Sequence, residues 1–280
     1  MHQASPRSAG DRIWMIAGTG EGPKLATKLL ARGWRVEVSV VTRAAALAYP
    51  TRPGLKLMVG ALGARGQPEQ DVSAHLINAR QEHDPYRWVI DASHPFACRI
   101  SNTLVQICAA FEQSLLGLQR PLTPHSDATV KLASLTSLRR FNLEGTKLLF
   151  AIGARQLAEA VQQSPDAHHH ARILPNPRAL AQAIAAGLSA TRVACLRPGG
   201  NQAIEQALCK RWQIESVVCR ESGGVTQQRW QAIAAALKLR LFLLERPATA
   251  EPMLRLPMET LLKRIGKPSI QVPRWVVKSS

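Results

Sequence analysis

Short apolar runs alternate with segments of helical periodicity along most of this chain. Such runs, bounded by polar residues, are typical of buried strands, whereas apolar residues repeating every three or four positions indicate helices. Strands that alternate with helices form parallel sheets, so the alternation predicts an α/β protein. The predicted strands are 13–17, 36–41, 55–59, 88–90 and 115–119, then 147–152, 171–174, 192–196, 216–219 and 239–244.

A proline-containing segment at residues 121–124 separates the two sets of strands. The 280 residues are enough for two ordinary domains. The predicted organisation is a disordered tail at 1–11, an α/β domain at 12–122, a second at 123–247 and a C-terminal extension at 248–280. Apolar residues between Leu254 and Leu262 predict one packing helix in the extension.

The last strand of each set ends in the same dipeptide. Arg120-Pro121 follows the strand at 115–119, and Arg246-Pro247 follows the strand at 239–244. We therefore expect two Rossmann-like parallel-sheet domains with similar strand order, facing each other across a cleft.

The first strand is followed by a glycine-rich turn, Gly18-Thr19-Gly20-Glu21-Gly22. The dinucleotide fingerprint requires glycine at its first, third and sixth positions, and here the sixth is Pro23. Small residues still let the backbone approach a phosphate, which the free N–H groups of a helix start attract. A tight turn without a ligand is an equally good interpretation.

A second polar turn lies within residues 87–99, which read as strand, turn and helix: Asp91 ends an apolar run, and Ser93 and His94 follow. Pro95 stands where a helix could begin, because the first helical position tolerates a missing N–H. The carboxyl ends of strands bind ligands in open α/β sheets, which makes this turn a candidate site. The alternative is that these side chains only cap the next helix.

The end of the second strand bears on the choice of nucleotide. An acidic residue there suits NAD, whereas a basic or neutral one suits the 2′-phosphate of NADP. This strand ends in Thr42-Arg43, and Glu37 lies too early, inside the strand. We therefore favour NADP(H), with a surface arginine as the alternative for Arg43.

The chain is strongly basic, with 36 Lys and Arg against 19 Asp and Glu and a formal net charge of +17. Such an excess favours a polyanionic ligand. Aromatic residues make up only 5%, and no basic run resembles a helix that tracks phosphates. A polycarboxylate or phosphorylated small molecule is therefore at least as good a candidate as nucleic acid.

The cysteines and histidines give no metal motif. The five cysteines include no CxxC pair, so we interpret them as buried, reduced thiols of a cytoplasmic protein. His168, His169 and His170 are adjacent, and adjacent side chains point apart, so we expect no metal. No apolar run is long enough for a membrane span, and residues 1–11 lack the apolar core of a signal peptide, so we expect no membrane association.

Several of these blocks occur in one characteristic order. They are Gly18-Thr19-x-Glu21, Ser39 to Thr42, Asp91-Ala-Ser-His-Pro-Phe-Ala97, Gln119-Arg120-Pro121, Gly153, Ser222-Gly223-Gly224 and Arg246-Pro247. That order resembles the precorrin-6A reductase family of cobalamin (vitamin B12) biosynthesis, including its cobalt-precorrin-6A members. The likeness spans residues 12–247, and the Asp-Ala-Ser-His-Pro-Phe-Ala block is its most specific part.

The resemblance implies an NAD(P)H oxidoreductase acting on CH–CH groups, with NADPH preferred and NADH possible. The substrate would be a tetrapyrrole-derived macrocycle with many carboxylates, and one carbon–carbon double bond would be reduced. The candidate cofactor-binding residues are Gly18, Thr19, Gly20, Glu21, Ser39, Thr42, Arg43, Gly60, Asp91, Ser93, His94 and Pro95. The candidate substrate-binding residues are Arg120, Gly153, Arg155, Arg172, Arg220, Ser222, Gly223 and Gly224. His94 and Asp91 are the candidates for delivering or relaying the proton.

The chain also departs from the family pattern. Arg220 stands near Ser-Gly-Gly where the family commonly has lysine, and Gly117 lies in a strand that often carries another arginine. These departures favour an alternative, a nucleotide-binding protein that lost the chemistry and has a regulatory or scaffold role. A nucleic-acid-binding protein is the third hypothesis and depends on charge alone. The sequence leaves the oligomeric state and the presence of cobalt in the substrate open.

Overall fold

The computed structural model describes residues 11–18, 20–64, 66–124, 129–197, 202–247 and 253–268. The chain forms two compact units. The first contains the residues up to Gln119 and the C-terminal segment from Ala248, and the second runs from Arg120 to Pro247. The tail predicted at residues 1–11 lies, apart from Asp11, outside the described residues.

The first unit is built on a six-stranded parallel sheet with helices on both faces. Its strands are β1 (Arg12–Ala17), β2 (Arg35–Val40), β3 (Leu55–Val59), β4 (Trp88–Ala92), β5 (Leu115–Leu118) and, from the C-terminal segment, β12 (Arg255–Leu256). Its helices are α1 (Glu21–Leu30), α2 (Arg43–Ala46), α3 (Pro68–Gln81), α4 (Cys98–Ala110) and α9 (Met258–Ile265). The strand order is β3-β2-β1-β4-β5-β12, which is that of a doubly wound nucleotide-binding fold.

Alternation of side chains along β1 explains the two layers of helices. Ile13 and Met15 pack with residues of α1 and α9, whereas Trp14 packs with residues of α3 and α4 on the opposite face. Because both faces are covered, most strand residues are apolar, as is usual in parallel sheets, but β2 departs from this pattern with Arg35, Glu37 and Ser39.

The second unit repeats this architecture. Its strands are β6 (Thr129–Leu132), β7 (Lys147–Ala151), β8 (His168–Ile173), β9 (Val193–Cys195), β10 (Ser216–Arg220) and β11 (Arg240–Leu244). Its helices are α5 (Leu157–Gln162), α6 (Pro177–Ala185), α7 (Gln202–Arg211) and α8 (Val225–Leu237). The order β9-β8-β7-β10-β11-β6 is again entirely parallel. The prediction of two Rossmann-like α/β units is confirmed; the cleft stays a prediction.

The two Arg-Pro dipeptides follow equivalent strands of the two sheets. Arg120 follows β5 and Arg246 follows β11, and each of these strands is fifth in the order of its own unit. The sixth strand of each sheet comes from a different part of the chain. In the first sheet it is β12, which follows the whole second unit in sequence, whereas in the second sheet it is β6, which precedes the other strands of that unit.

Some predicted elements differ from the structure. Helix α4 begins at Cys98 rather than at Pro95, because residues 93–97 form a turn in which the Ala97 amide donates to the His94 carbonyl oxygen. Leu254 and Leu256 do not belong to the predicted helix: Leu256 lies in β12, and α9 starts only at Met258. Strand β6 was not predicted, because its short alternating sequence, Thr-Val-Lys-Leu, is that of an edge strand.

The prediction that the cysteines are buried is only partly correct. Cys108, Cys209 and Cys219 are buried, and burial raises the pKa of each thiol to about 12, which keeps it protonated and unreactive. Cys98 is half-buried and Cys195 is exposed, so the prediction of buried thiols is wrong for these two.

Glu37 is the centre of a buried ionic cluster in the first unit, and only 2% of its surface is exposed. The Arg12 guanidinium donates to Glu37 Oε2 at 2.5 Å, and His75 Nε2 lies 3.1 Å from Oε1. Burial alone would raise the pKa of this carboxyl, but the hydrogen bonds from His75 and Arg12 outweigh it and lower the pKa to about 2. Glu37 therefore has a structural role inside β2.

Candidate functional site

The first unit brings its two predicted polar turns together at one edge of the sheet. The order of the strands reverses between β1 and β4, and this switch point is where doubly wound sheets bind ligands. Gly18 follows β1, and Ser93 and His94 follow β4. A Cβ on Gly18 would lie 3.4 Å from the His94 backbone nitrogen and 3.8 Å from Ser93 Cα. The two turns are therefore direct neighbours.

The first turn leads into α1 with its backbone accessible. Gly20 is the N-cap of α1, no side chain accepts a hydrogen bond there, and a Cβ on Gly20 would meet nothing within 4 Å. The first N–H groups of a helix lack partners within the helix and attract anions. Glu21 opens the helix and adds a negative charge beside these groups. Thr19 lies outside the described residues.

Asp91 lies inside the sheet edge rather than in the open turn. Its residue is 0% exposed, and its carboxylate accepts hydrogen bonds from the Ser93 amide at 3.0 Å and the Ser101 hydroxyl at 2.6 Å. The Arg255 guanidinium, from β12, donates to the same carboxylate at 3.0 Å. A carboxylate held by three donors is arranged to fix the turn.

His94 is half-buried and presents one ring nitrogen to its own turn. The Phe96 amide donates to His94 Nδ1 at 3.2 Å, and the two rings lie 5.7 Å apart. A neutral imidazole that accepts at Nδ1 carries its proton on Nε2. His94 can therefore donate a hydrogen bond through Nε2.

The residues predicted around the ribose divide into two groups. Ser39 is buried in β2, and its hydroxyl accepts a hydrogen bond from the Trp14 indole at 2.9 Å. Thr42 accepts from the Ala45 amide as the N-cap of α2, and Arg43 is exposed beside it. Gly60 follows β3 with a φ of 150° and an open surround. The structure therefore leaves Thr42, Arg43 and Gly60 at the carboxyl edge and places Ser39 in the packed layer.

The second unit has its own switch point, between β7 and β10. Gly153, with a φ of 78°, and Arg155 follow β7, and Arg220 ends β10. Arg220 donates to Gln156 Oε1 at 2.7 Å. Burial and, secondly, the like charge of Arg155 lower the pKa of Arg220 to about 10, so the Arg220 guanidinium is still charged at neutral pH. Two cations at one strand edge favour an anionic ligand.

The turn after β10 is held by arginines of its own unit. Arg246 Nε donates to the Glu221 carbonyl oxygen at 2.9 Å, and its other nitrogens donate to the carbonyl oxygens of Arg120 and Pro121 at 3.0 Å. Arg120, 6% exposed, donates to the Ser222 carbonyl oxygen at 3.2 Å. These contacts make Arg120 a support for the Ser222-Gly223-Gly224 turn.

Gly223 is required where these groups converge. Its φ is +67°, and a Cβ there would collide with the Arg246 guanidinium and the Pro121 carbonyl oxygen. The Gly223 amide donates to Gln227 Oε1 at 2.8 Å, and Gln227 is 1% exposed. The turn therefore keeps one shape imposed by buried polar partners.

Arg172 contacts a different group of charged residues. It is a buried residue of β8, and its Nε is 3.2 Å from Glu205 Oε1, while Arg229 pairs with the other oxygen of Glu205. The three form a buried ionic group between β8, α7 and α8. This placement gives Arg172 a structural partner.

Sequence reasoning missed several residues that shape the two sites. Arg255 and Ser101 hold Asp91, and Gln227 holds Gly223. Ser101 lies ten residues after Asp91, and Gln227 lies four residues after Gly223. A search for polar residues near the start of the next helix could have found both. Arg255 is 164 residues from Asp91, so no local pattern could have identified it.

The histidine run on β8 packs on different neighbours. The ring of His169 stacks on Phe150, whereas the ring of His170 lies against Trp212. No group of three or more His, Cys, Asp or Glu side chains that could hold a metal ion occurs in the part of the chain that the structure describes. None of the described helices is long and apolar enough to cross a membrane.

Two doubly wound parallel sheets with polar residues at both switch points place the chain in the class of Rossmann-like ligand-binding proteins. The model of one family, precorrin-6x reductase CbiJ/CobK, matches residues 12–265. The chain therefore belongs to this family of oxidoreductases, and the resemblance noted in the sequence is confirmed.

Individual relatives agree with this assignment. A cobalt-precorrin-6A reductase from Synechocystis is 34% identical over 242 residues, covering 85% of this chain and 89% of the relative. A precorrin-6A reductase from Rhodobacter capsulatus is 25% identical over 240 residues, covering 85% and 88%. The solved structure of CobK precorrin-6A reductase matches with a TM-score of 0.70 at 22% identity, covering 92% of this chain and 99% of that chain, and it shows the shared fold.

Proposed function

We propose that this chain is an NADPH-dependent reductase of the precorrin-6A macrocycle in cobalamin biosynthesis. The observation that carries the proposal is the meeting of the Gly18 turn and the Asp91–Pro95 turn at the first switch point. Family membership supplies the reaction class, because the curated relatives are precorrin-6A reductases. A nicotinamide bound there would supply the hydride for one carbon–carbon double bond, and a proton would go to the neighbouring carbon.

Each element of the first site has a distinct task in this proposal. The backbone at Gly18 and Gly20 and the N-terminus of α1 bind the pyrophosphate. Thr42 and Arg43 bind the 2′-phosphate, which is the reason for preferring NADPH. Asp91 holds the Ser93 amide, and a protonated His94 would deliver the proton through Nε2. We assign the proton to His94 rather than Asp91, because the Asp91 carboxylate is fully buried among donors.

The second site suits a ligand with many carboxylates. Arg155 and Arg220 supply two guanidinium groups that can bind carboxylates bidentately. Gly153 follows β7 and the Ser222-Gly223-Gly224 turn follows β10, so both lie at the same edge of the second sheet. We propose that this edge binds acidic side chains of the macrocycle.

The relatives differ in whether cobalt is present in the named substrate. The Synechocystis cobalt-precorrin-6A reductase is 34% identical to this chain, against 25% for the Rhodobacter capsulatus precorrin-6A reductase. On this ground we favour the cobalt-containing macrocycle. Both forms are offered in the experiment that follows.

The purified chain is incubated with NADPH or NADH and each macrocycle, and nicotinamide absorbance and product mass are followed. We expect NADPH oxidation that depends on the macrocycle, with a product carrying one added hydride and one added proton. Binding of nucleotide without oxidation in any combination would instead support a regulatory or scaffold protein that has lost the chemistry. An Arg155→Gln, Arg220→Gln double variant is expected to raise KM for the macrocycle more than KM for NADPH.

A further inference from the structure

Three residues lie in register across three neighbouring strands of the first unit. Asp91 of β4 pairs with Gly117 of β5, and Gly117 pairs with Arg255 of β12. Residues in register on parallel strands direct their side chains to the same face of the sheet. Since neighbouring strands are about 4.8 Å apart, Asp91 and Arg255 belong to strands separated by roughly 10 Å. The guanidinium nevertheless reaches the carboxylate, at 3.0 Å.

Gly117 is what lets the arginine cross the middle strand. A Cβ at this position would lie 2.7 Å from Arg255 Cγ and 3.3 Å from one of its terminal nitrogens. A Cβ essentially never comes as close as 2.7 Å to another heavy atom, so a side chain at residue 117 would make Arg255 shift. Because Gly117 has no side chain, space remains for the Arg255 side chain of β12 to reach Asp91.

The effect of Arg255 continues beyond Asp91 into the turn itself. The carboxylate oxygen that Arg255 contacts also accepts from the Ser101 hydroxyl of α4, and the other oxygen accepts from the Ser93 amide. Ser93 and His94 then border Gly18 of the first turn. A continuous series of contacts thus connects β12 to the proposed nucleotide site.

We propose that Arg255 is a positioning residue for nucleotide binding, acting through Asp91 on the Ser93–Pro95 turn. Arg255 fixes the rotation of the carboxylate, and the carboxylate fixes the Ser93 amide and the backbone beside Gly18. The C-terminal segment, which enters the first sheet only after the second unit has been traversed, is then part of the nucleotide site. This inference rests on the proposed function, since it assumes that the first switch point binds NADPH.

The test compares affinity for NADPH, by calorimetry, in the full-length wild type and in variants. Arg255→Met keeps the aliphatic stem and removes the guanidinium. Gly117→Ala keeps the arginine but places a methyl group in its path. Glu259→Gln is the matched control, because it breaks the Lys28–Glu259 contact between α1 and the C-terminal segment without touching Asp91.

We expect Arg255→Met to weaken NADPH binding roughly tenfold, the scale of one hydrogen bond to a charged group. Gly117→Ala should weaken it in the same direction, and the double variant should bind no worse than Arg255→Met alone, because both changes remove one interaction. Glu259→Gln should bind as wild type. In steady-state assays the loss should fall on KM for NADPH, with kcat at saturating nucleotide retained.

A folded Arg255→Met that binds NADPH as tightly as wild type would overturn the inference and leave the proposed function intact. If Arg255→Met does not fold, the NADPH affinity of Gly117→Ala provides the test, and an affinity equal to that of the wild type would overturn the inference. A wild-type chain that binds neither NADPH nor NADH would overturn the proposed function, and this inference with it. A lower melting temperature with unchanged affinity would show that Arg255 only neutralises a buried charge.

Discussion

Arg43 decides, in our proposal, which nucleotide the first unit prefers. It is exposed beside the N-cap of α2, at the carboxyl edge of β2, where doubly wound folds distinguish the two nucleotides. A charged hydrogen bond to the 2′-phosphate is available to NADPH and not to NADH. The preference should therefore depend on this single side chain.

Replacing Arg43 by alanine is expected to raise KM for NADPH roughly tenfold and to leave KM for NADH nearly unchanged. Arg52→Ala is the matched control, since Arg52 is also exposed but precedes β3 at its amino end. Steady-state kinetics with both nucleotides measures the two ratios. Equal losses for NADPH and NADH would rule out recognition of the 2′-phosphate.

His94 is the second residue whose role can be measured directly. His94→Ala at saturating NADPH and macrocycle is expected to lower kcat about 100-fold or more, the usual contribution of a proton donor. Asp91→Asn should act mainly on nucleotide affinity, because its carboxylate positions the turn. A kcat for His94→Ala equal to that of the wild type would remove His94 as the donor.

At the scale of the element, β2 depends on the ionic cluster around Glu37. The carboxylate is buried, and its pKa of about 2 lies below the ordinary value of 4.5 because His75 and Arg12 stabilise the charged form. A carboxyl with a lowered pKa stabilises the fold above about pH 4.5, and this contribution is lost as the pH falls towards 2.

Glu37→Gln is expected to destabilise the first unit by about 3 kcal/mol at pH 7, since it leaves Arg12 buried with a weaker partner. The loss should shrink as the pH is lowered from 4.5 to 2, because the wild type loses its own advantage there. Urea unfolding at several pH values measures the difference. Glu112→Gln, at an exposed residue, serves as control. A stability difference between the wild type and Glu37→Gln that does not change with pH would contradict the lowered pKa of Glu37.

The turn after β10 depends on a backbone conformation at Gly223 that favours glycine. Gly223→Ala is expected to cost more stability than Gly145→Ala, although both glycines have φ near +66°. Alanine at 145 meets only the strain of the left-handed region, about 1 kcal/mol, because nothing lies within 4 Å of its Cβ. Alanine at 223 also meets Arg246 and Pro121. Thermal unfolding measures the stability of the two variants, and equal losses of stability would exclude a collision of the alanine at residue 223 with Arg246 and Pro121.

At the scale of the molecule, the first unit is completed by chain that follows the second. Strand β12 extends its sheet beside β5, and Leu261, Leu262 and Ile265 of α9 are buried in its core. The Trp34 indole also donates to the Gly266 carbonyl oxygen at 3.0 Å. Stability of the first unit therefore depends on residues more than a hundred positions from its other strands.

Leu262→Ala is expected to destabilise the first unit by about 3 kcal/mol, the usual cost of emptying a buried leucine site. Leu254→Ala is the control, because Leu254 is 52% exposed. Hydrogen exchange of amides in β4 and β10 reports on the two units separately. Faster exchange in β4 alone is expected, and equal acceleration in β10 would contradict a role confined to the first unit.

The alternation of apolar runs and helical segments determined most of the fold. Ten strands and their parallel arrangement follow from it, because burial of both sheet faces is visible in each short run by itself. The glycine turn after β1 and the polar turn after β4 were likewise readable, since turn residues are selected by local backbone geometry. Family membership could be inferred from the order of these blocks.

Only the tertiary structure decided which distant groups meet. The sequence placed Leu254 and Leu256 in a helix, whereas pairing with β5 makes Arg255–Leu256 a strand, because sheet partners override local periodicity. Ser39 and Arg172 were predicted to bind ligands; in the structure the Ser39 hydroxyl accepts a hydrogen bond from the Trp14 indole, and Arg172 Nε lies 3.2 Å from Glu205 Oε1. Asp91 was predicted to be a site residue, but its partner Arg255 was not identified from the sequence. A periodic pattern records which side chains are buried, whereas the identity of a buried charge's partner depends on how the whole chain closes.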